Sequence, residues 1–405
     1  MNSKQIQNLS FLILLFLLGC QGQKQDTGVS SSANASLELL ADQQLRRIYL
    51  EGTAFERGLQ HGNLLRKEIK AVTDSLLLDI GKTTGEKPIT FIKNFLKETD
   101  FVASMQKWTP ELLEEIKGIS EGSAVPYDII LMHQLGDEFF FSTKYLFAHK
   151  CSSIGINKTQ AHPSITAQNM DIPTYFHGYQ TVMNIKKKKG KELLVLTIPG
   201  HIGITGMNNS SISINCNILM QLTAQSKGLP VSAIVRGVLA QTNYDAAIDW
   251  IKQVEHASGQ NYIIGGKEAV VSLECSADSI VEFIPFENAN YTYHTNHPLK
   301  NKDYSDWYLN ALEENGFTLF DAKGFCQRFP SFEKRFNETV LDFSVEEIQE
   351  VLRSKDHTGF DVMSNSYTYA SVIYLLSDQP HCLIAPGKPH EREYLTLFFS
   401  DQTPK

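Results

Sequence analysis

Cys151-Ser152-Ser153-Ile154-Gly155-Ile156 and Ser164-Ile165-Thr166-Ala167-Gln168-Asn169-Met170-Asp171 are the two stretches on which the fold turns. Upstream of Cys151 the apolar residues recur at helical spacing. Downstream, short runs alternate as strands do and are punctuated by Gly, Asn and Pro. A strand beginning at Cys151, paired with one that returns through Thr166, brings Asp171 back beside Cys151. Farther on, His294-Thr295-Asn296-His297 ends another strand-like run. A thiol, a carboxylate and an amide donor, each at a strand end, suit acyl transfer. The thiolate attacks a carbonyl, the amide stabilises the oxyanion and the carboxylate orients the base.

Working outward, a strand is expected over Arg47 to Glu51 and one long helix over Phe55 to Ile80, with Leu64, Leu65, Ile69, Val72, Leu76 and Leu77 on its buried stripe. A second helix starts at Thr109-Pro110, a cap residue followed by a proline suited to the first turn. Past Cys151, Gln180 to Ile185 and Glu192 to Ile198 read as hairpin arms around the lysine-rich turn Lys186 to Lys191. Ser211 to Leu219 reads as a strand, Val231 to Val254 as one helix, and Asn261 to Gly265 with Ala269 to Cys275 as a hairpin. Tyr367 to Leu376 and Tyr394 to Phe399 read as late strands. Helices and strands come in blocks, which implies an α+β layered domain and excludes a doubly wound nucleotide fold. No Gly-rich phosphate loop is present.

The N-terminus reads as a targeting segment. Lys4 is followed by the apolar run Phe11 to Leu18, too short to span a bilayer, and then by Gly19-Cys20. Residues 1–19 read as a signal peptide whose end resembles a bacterial lipobox, with Cys20 the lipidated residue. Residues 20–40 read as a flexible tether. The mainly helical part is then 41–150 and the catalytic part 151–405. This organisation implies a lipid-anchored, exported protein of a bacterial cell envelope.

Composition narrows the function classes. Of 405 residues, 42% are hydrophobic and 20% charged, an ordinary globular mixture, and the net charge of −8 argues against a nucleic-acid partner. Six cysteines invite a disulfide framework, but assigning Cys20 to a lipid leaves an odd number. His294 and His297 have no further ligands at usable spacing, so neither a metal nor a cofactor is expected. Cys151 suits a nucleophile or a buried core cysteine, and Asp171 and Asn296 suit catalysis or turn capping. Asn215, Asn217 and Tyr175 are candidates for the substrate pocket.

The chain resembles the isopenicillin N acyltransferase family of N-terminal-nucleophile hydrolases, with choloylglycine hydrolases and penicillin V acylases as more distant relatives. The resemblance begins at Phe55-Glu56-Arg57-Gly58 with Gln60-His61-Gly62. It continues through the paired glycines Gly118 and Gly122, Cys151-Ser152-Ser153 and Gln168-Asn169-Met170-Asp171. Its later parts are Pro199-Gly200 to Asn217, Gly228-Leu229-Pro230 with Arg236, and His294 to His297. It implies a four-layer αββα sandwich and a chain that cuts itself between Lys150 and Cys151. It implies that the freed α-amine of Cys151 serves as base for its own thiol, that Asp171 holds that amine and that Asn296 stabilises the oxyanion. An α-amine has a reference pKa of about 7.7–8.0, near working pH. The substrate implied is a small acylated amide; a catalytically inactive binding protein on the same fold is the alternative. Three positions depart from the family pattern. Lys150 precedes the nucleophile, Ser211 stands where the central hairpin usually turns on Gly, and the basic residue expected from a later segment has no match, since Arg236 falls in a helix and Arg392 near the end.

Overall fold

The computed structural model describes residues 35–144, 151–323, 326, 328–355, 362–400 and 402. Two sheets form among them. The first runs, in spatial order, Ser36–Leu40, Leu45–Glu51, Thr181–Lys186, Glu192–Thr197, Thr205–Asn208, Ile212–Ile218, Gln260–Gly265, Val270–Cys275 and Ile280–Glu282. Leu45–Glu51 and Thr181–Lys186 pair in parallel. The second sheet is antiparallel and runs Tyr291–His294, Ser152–Ile156, Ser164–Asp171, Thr368–Leu376, His381–Ala385 and Leu395–Phe398.

The sheets lie face to face through a buried polar seam. Thr166 and Ser213 hydroxyls are 2.6 Å apart, Gln168 Nε2 donates to the Cys216 carbonyl at 2.5 Å, and Ser153 Oγ donates to Asn217 Oδ1 at 2.7 Å. Such groups are tolerable in a core because each finds a partner. Helices cover both outer faces. On the first sheet, Ile116 and Ile119 of Pro110–Ser123 and Val235 of Val231–Leu239 join a core with Ile48, Met183 and Leu194. On the second, Phe332, Ile348 and Leu352 pack on Ile154, Ile165 and Tyr293. The order helix–sheet–sheet–helix is the αββα sandwich of N-terminal-nucleophile hydrolases.

The quoted glycines let two helices touch. A Cβ on Gly58 would sit 1.9 Å from the Glu115 carbonyl oxygen, and one on Gly118 would sit 2.2 Å from that of Phe55. The helices Ala54–Leu64 and Pro110–Ser123 therefore meet backbone to backbone. Beside them Glu115 takes Arg236 Nη1 at 2.6 Å and Arg57 Nη2 at 3.1 Å in a buried triad. Burial alone would raise this carboxyl, but Arg236 and Arg57 outweigh it and hold it at about 2.

Several sequence expectations need correction. The helix expected over Phe55 to Ile80 is two, Ala54–Leu64 and Arg66–Thr84, because Leu65 leaves helical geometry at φ −118°, ψ 27°. The helix expected over Val231 to Val254 is also two, Val231–Leu239 and Tyr244–Gln253, the second capped by Asn243 accepting from the Ala246 amide. The tether expected over 20–40 ends early, since Ser36–Leu40 is a strand paired with Leu45–Glu51. Ser211 adopts φ 60°, the left-handed conformation that favours glycine at such a turn, and its hydroxyl donates to the Ser377 carbonyl at 2.5 Å. Cys20 and Lys150 lie outside the described residues. No described helix is long and apolar enough to cross a membrane.

Candidate active site

Cys151 stands at the mouth of the seam, one residue before the strand Ser152–Ile156. Antiparallel pairing of Ser152 with Asn169 and Ser153 with Gln168 brings the next strand's end alongside. The thiol lies 3.5 Å from Met170 Sδ and 3.9 Å from the Asp171 carbonyl oxygen. Asp171 and Cys151 are thus neighbours, as the hairpin reading expected. Asn365 Nδ2 donates to Asp171 Oδ2 at 2.6 Å and fixes that carboxylate from the start of Thr368–Leu376.

On the other side, Tyr291–His294 pairs with Ser152–Ile156 and delivers Asn296. Its Nδ2 donates to the Ile218 carbonyl at 2.9 Å, and its own carbonyl accepts from Gln221 Nε2 at 3.0 Å. His294 is committed elsewhere, with Nε2 2.7 Å from Glu274 Oε1 and Nδ1 2.8 Å from the Thr295 carbonyl.

A basic group from a later segment, Arg328, stands beside the nucleophile candidate. Its Nη1 donates to the Cys151 carbonyl and, at 2.8 Å, to Ser152 Oγ; its Nη2 donates to Asn296 Oδ1 at 3.0 Å. One guanidinium therefore ties the nucleophile candidate to the oxyanion candidate. Neither Arg328 nor Asn365 sits in a local motif, and both arrive from distant segments.

A cavity of about 390 Å3 opens beside these groups. Cys151, Asp171, Asn296, Tyr175, Phe176 and Phe139 all line it. Tyr175, a pocket candidate from the sequence, also donates to Asp79 Oδ2 at 3.3 Å. Asn215 and Asn217 do not line the cavity. They face the other sheet, where Asn215 Nδ2 donates to Gln168 Oε1 and Asn217 Oδ1 accepts from Ser153. Strand alternation explains this: their neighbours Cys216 and Ile218 point the opposite way and line the cavity instead.

Burial pushes the Cys151 thiol up to about 12, and the Asp171 charge adds to the rise. A thiol raised that far is neutral at working pH. The cysteines 151, 216, 275, 326 and 382 are buried and form no disulfide. No group of three metal-ligating side chains is found among the described residues.

The αββα sandwich, here with Cys151 at the head of a strand of the inner face, is the fold of the N-terminal-nucleophile hydrolases. The chain belongs to the acyl-coenzyme A:6-aminopenicillanic acid acyl-transferase family, whose model matches residues 158–359. The 40 kDa form of acyl-coenzyme A:6-aminopenicillanic-acid-acyltransferase from Emericella nidulans is 27% identical over 267 residues, 65% of this chain and 72% of that one. The chain spans about half, 48%, of two further relatives, from Archaeoglobus fulgidus and Dictyostelium discoideum. Among solved structures, a conjugated bile acid hydrolase from Clostridium perfringens is 10% identical with a TM-score of 0.38, over 62% of this chain and 94% of that one. Penicillin V acylase from Agrobacterium tumefaciens is 12% identical with a TM-score of 0.36, over 62% of this chain and 86% of that one. Members of the family are acyltransferases and amide hydrolases.

Proposed function

We propose that the protein is an N-terminal cysteine nucleophile enzyme that cleaves or transfers the acyl group of small linear amides. It is activated by cutting its own chain before Cys151 and is held at a bacterial cell envelope through Cys20. One observation carries the catalytic part: the Cys151 thiol touches Met170 and the Asp171 carbonyl, and among the described residues no histidine bonds to it. A buried thiol in such a place needs a base from elsewhere, and an α-amine on the same residue supplies one.

Activation begins when Cys151 Sγ attacks the Lys150 carbonyl carbon. The peptide C–N bond breaks, the nitrogen takes the thiol proton and becomes the α-amine, and water hydrolyses the thioester to the Lys150 carboxylate and the free Cys151 thiol. In turnover the α-amine takes the thiol proton as sulfur attacks the substrate carbonyl. Asn296 donates to the oxyanion, which is worth about 3–4 kcal/mol where such a donor has been removed. The proton passes to the departing amine, leaving an acyl-thioester on Cys151. Water resolves it in hydrolysis and an acceptor amine resolves it in transfer. The anchor rests on the Gly19-Cys20 pattern after the apolar run Phe11 to Leu18.

Intact-mass analysis of the mature protein tests all three parts. The expected species are a lipid-modified fragment 20–150 and a fragment 151–405, both absent from Cys151→Ala, which stays uncut. With a p-nitroanilide of a medium-chain acid, an acyl adduct on fragment 151–405 is expected. A single uncut chain that binds acyl amides without forming an adduct would establish the inactive binding protein instead, a reading favoured only by the raised pKa of the Cys151 thiol.

A further inference from the structure

The hairpin that joins Thr181–Lys186 to Glu192–Thr197 carries Lys186, Lys187, Lys188, Lys189 and Lys191, interrupted only by Gly190. Lys186, Lys188 and Lys189 are exposed. Lys187 is half-buried, and burial with the nearby Arg236 charge lowers it to about 8. Lys191 donates to the Ala240 carbonyl. Carboxylates do not cancel the tip. Glu56 feels Lys188 and Glu111 feels Lys187, but neither forms an ion pair with them among the described residues. Glu51 and Glu192 stand opposite Lys186 in the ladder, and Glu192 is buried and bonded to Asn184 and Ser400. The outermost residues of the hairpin are therefore a patch of positive charge on a chain whose net charge is −8.

The same end of the sheet receives the N-terminal chain. Ser36 pairs with Tyr49, and Tyr49 pairs with Asn184, two residues before Lys186. The edge strand Ser36–Leu40 thus begins two strand spacings, about 10 Å, from the strand that leads into the lysine tip. Ser36 and Lys186 line one surface hollow. Fifteen residues, 21–35, join Cys20 to Ser36. Even fully extended they span no more than about 50 Å. A lipid on Cys20 therefore brings the bilayer within reach of the end of the fold where the lysines lie. At physiological ionic strength charges act over about 8 Å. The face nearest the lipid, not the net charge, then decides how the protein meets an anionic surface. Each lysine close to such a surface tightens binding about fivefold. Tethering makes the contact intramolecular, so a few lysines suffice to hold one orientation.

We infer that the lysine hairpin 186–191 is a docking face for the anionic phospholipid headgroups of the membrane that holds Cys20, so that the protein rests on the bilayer in one orientation. This rests on the reading of Cys20 as the anchor. The contact is electrostatic and weakens with salt, whereas the lipid on Cys20 holds by apolar burial and does not.

The full chain carrying Cys20→Ser takes the lipid out of the comparison. It is co-sedimented at low salt with vesicles of phosphatidylcholine alone and of phosphatidylcholine mixed with phosphatidylglycerol. Binding to the anionic vesicles is expected to be at least tenfold tighter and to fall as salt is added. Lys186→Gln, Lys188→Gln and Lys189→Gln together are expected to bring the two vesicle types within twofold and to leave the urea midpoint unchanged. Equal binding to the two vesicle types, or a preference that survives in the triple variant, overturns the inference. Tight binding of inorganic polyphosphate without a vesicle preference marks a site for soluble polyanions and overturns it as well. Intact mass of the wild type separates this from the anchor. A lipidated Cys20 with no vesicle preference defeats the docking face alone. A vesicle preference in a protein whose Cys20 carries no lipid supports the docking face and defeats the anchor.

Discussion

Arg328 Nη2 donates to Asn296 Oδ1 at 3.0 Å, and that contact sets which way the amide faces. A guanidinium has only donors, so the oxygen of Asn296 must turn to it and the NH2 must turn away, toward the Ile218 carbonyl and the cavity. Arg328 is therefore a positioning residue for the proposed oxyanion donor. Asn296→Ala is expected to lower the single-turnover acylation rate about 10²–10³-fold. Arg328→Lys is expected to lower it roughly tenfold or more, because an ammonium cannot hold Cys151, Ser152 and Asn296 in one plane. The double variant should be little worse than Asn296→Ala. Fully multiplicative losses would show that Arg328 does not work through Asn296.

The close approach of Ala54–Leu64 and Pro110–Ser123 leads to a stability prediction. Gly58→Ala and Gly118→Ala each force a methyl into backbone atoms that cannot rotate away. Each is expected to cost roughly 3 kcal/mol, at the upper end for overpacking. Urea unfolding should show the loss as a lower midpoint with an unchanged slope. A change within about 0.5 kcal/mol, the usual range for neutral surface sites, would mean that the helices part freely.

The glycine contacts show what a sequence can carry. Gly58, Gly62, Gly118 and Gly122 were visible as glycines four apart, and the structure supplies the reason for the spacing. The Cys151–Asp171 neighbourhood was legible because antiparallel pairing converts a sequence interval into a distance. The break at Leu65 was not legible, since no Gly or Pro marks it and the apolar stripe continues through it. The break before Tyr244 had a signal in Asn243, an N-cap residue inside an otherwise helical pattern. Asn215 and Asn217 read as pocket candidates but lie off the cavity, because nothing in a run of alternating residues says which side faces it. Arg328 and Asn365 act through tertiary placement alone. The strand Ser36–Leu40 was hidden because its polar flanks resemble a tether until Leu45–Glu51 pairs with it.

Buried histidines set the acid limit of stability. Burial holds His61, His133 and His256 at about 4. A histidine whose folded pKa lies below its unfolded value near 6.5 is protonated first in the unfolded chain. Stability is therefore intact above pH 6.5 and falls as the pH drops toward 4, by up to about 3 kcal/mol for each group. Urea midpoints should decline steadily from pH 7 to pH 4.5. His256→Gln should reduce the slope of that decline. A midpoint that stays level over the interval would contradict the assignment.

Glu274 connects the far ends of the segment that carries Asn296. Its carboxylate accepts from His294 Nε2 at 2.7 Å and from the amides of Leu299 at 2.5 Å, Lys300 at 2.9 Å and Asn301 at 2.5 Å. Burial alone would raise this carboxyl, but the His294 contact and the amides hold it below its ordinary value. Four donors converge on two oxygens that are acceptors only, and a glutamine at this site would present an NH2 to some of them. Glu274→Gln is expected to cost about 1–3 kcal/mol of stability through groups left unpaired. If Glu274 also positions Asn296, the same variant should lower kcat at least tenfold with KM within twofold, because the oxyanion donor acts in the transition state and not in ground-state binding. Lost stability with an unchanged kcat would make Glu274 a purely structural residue.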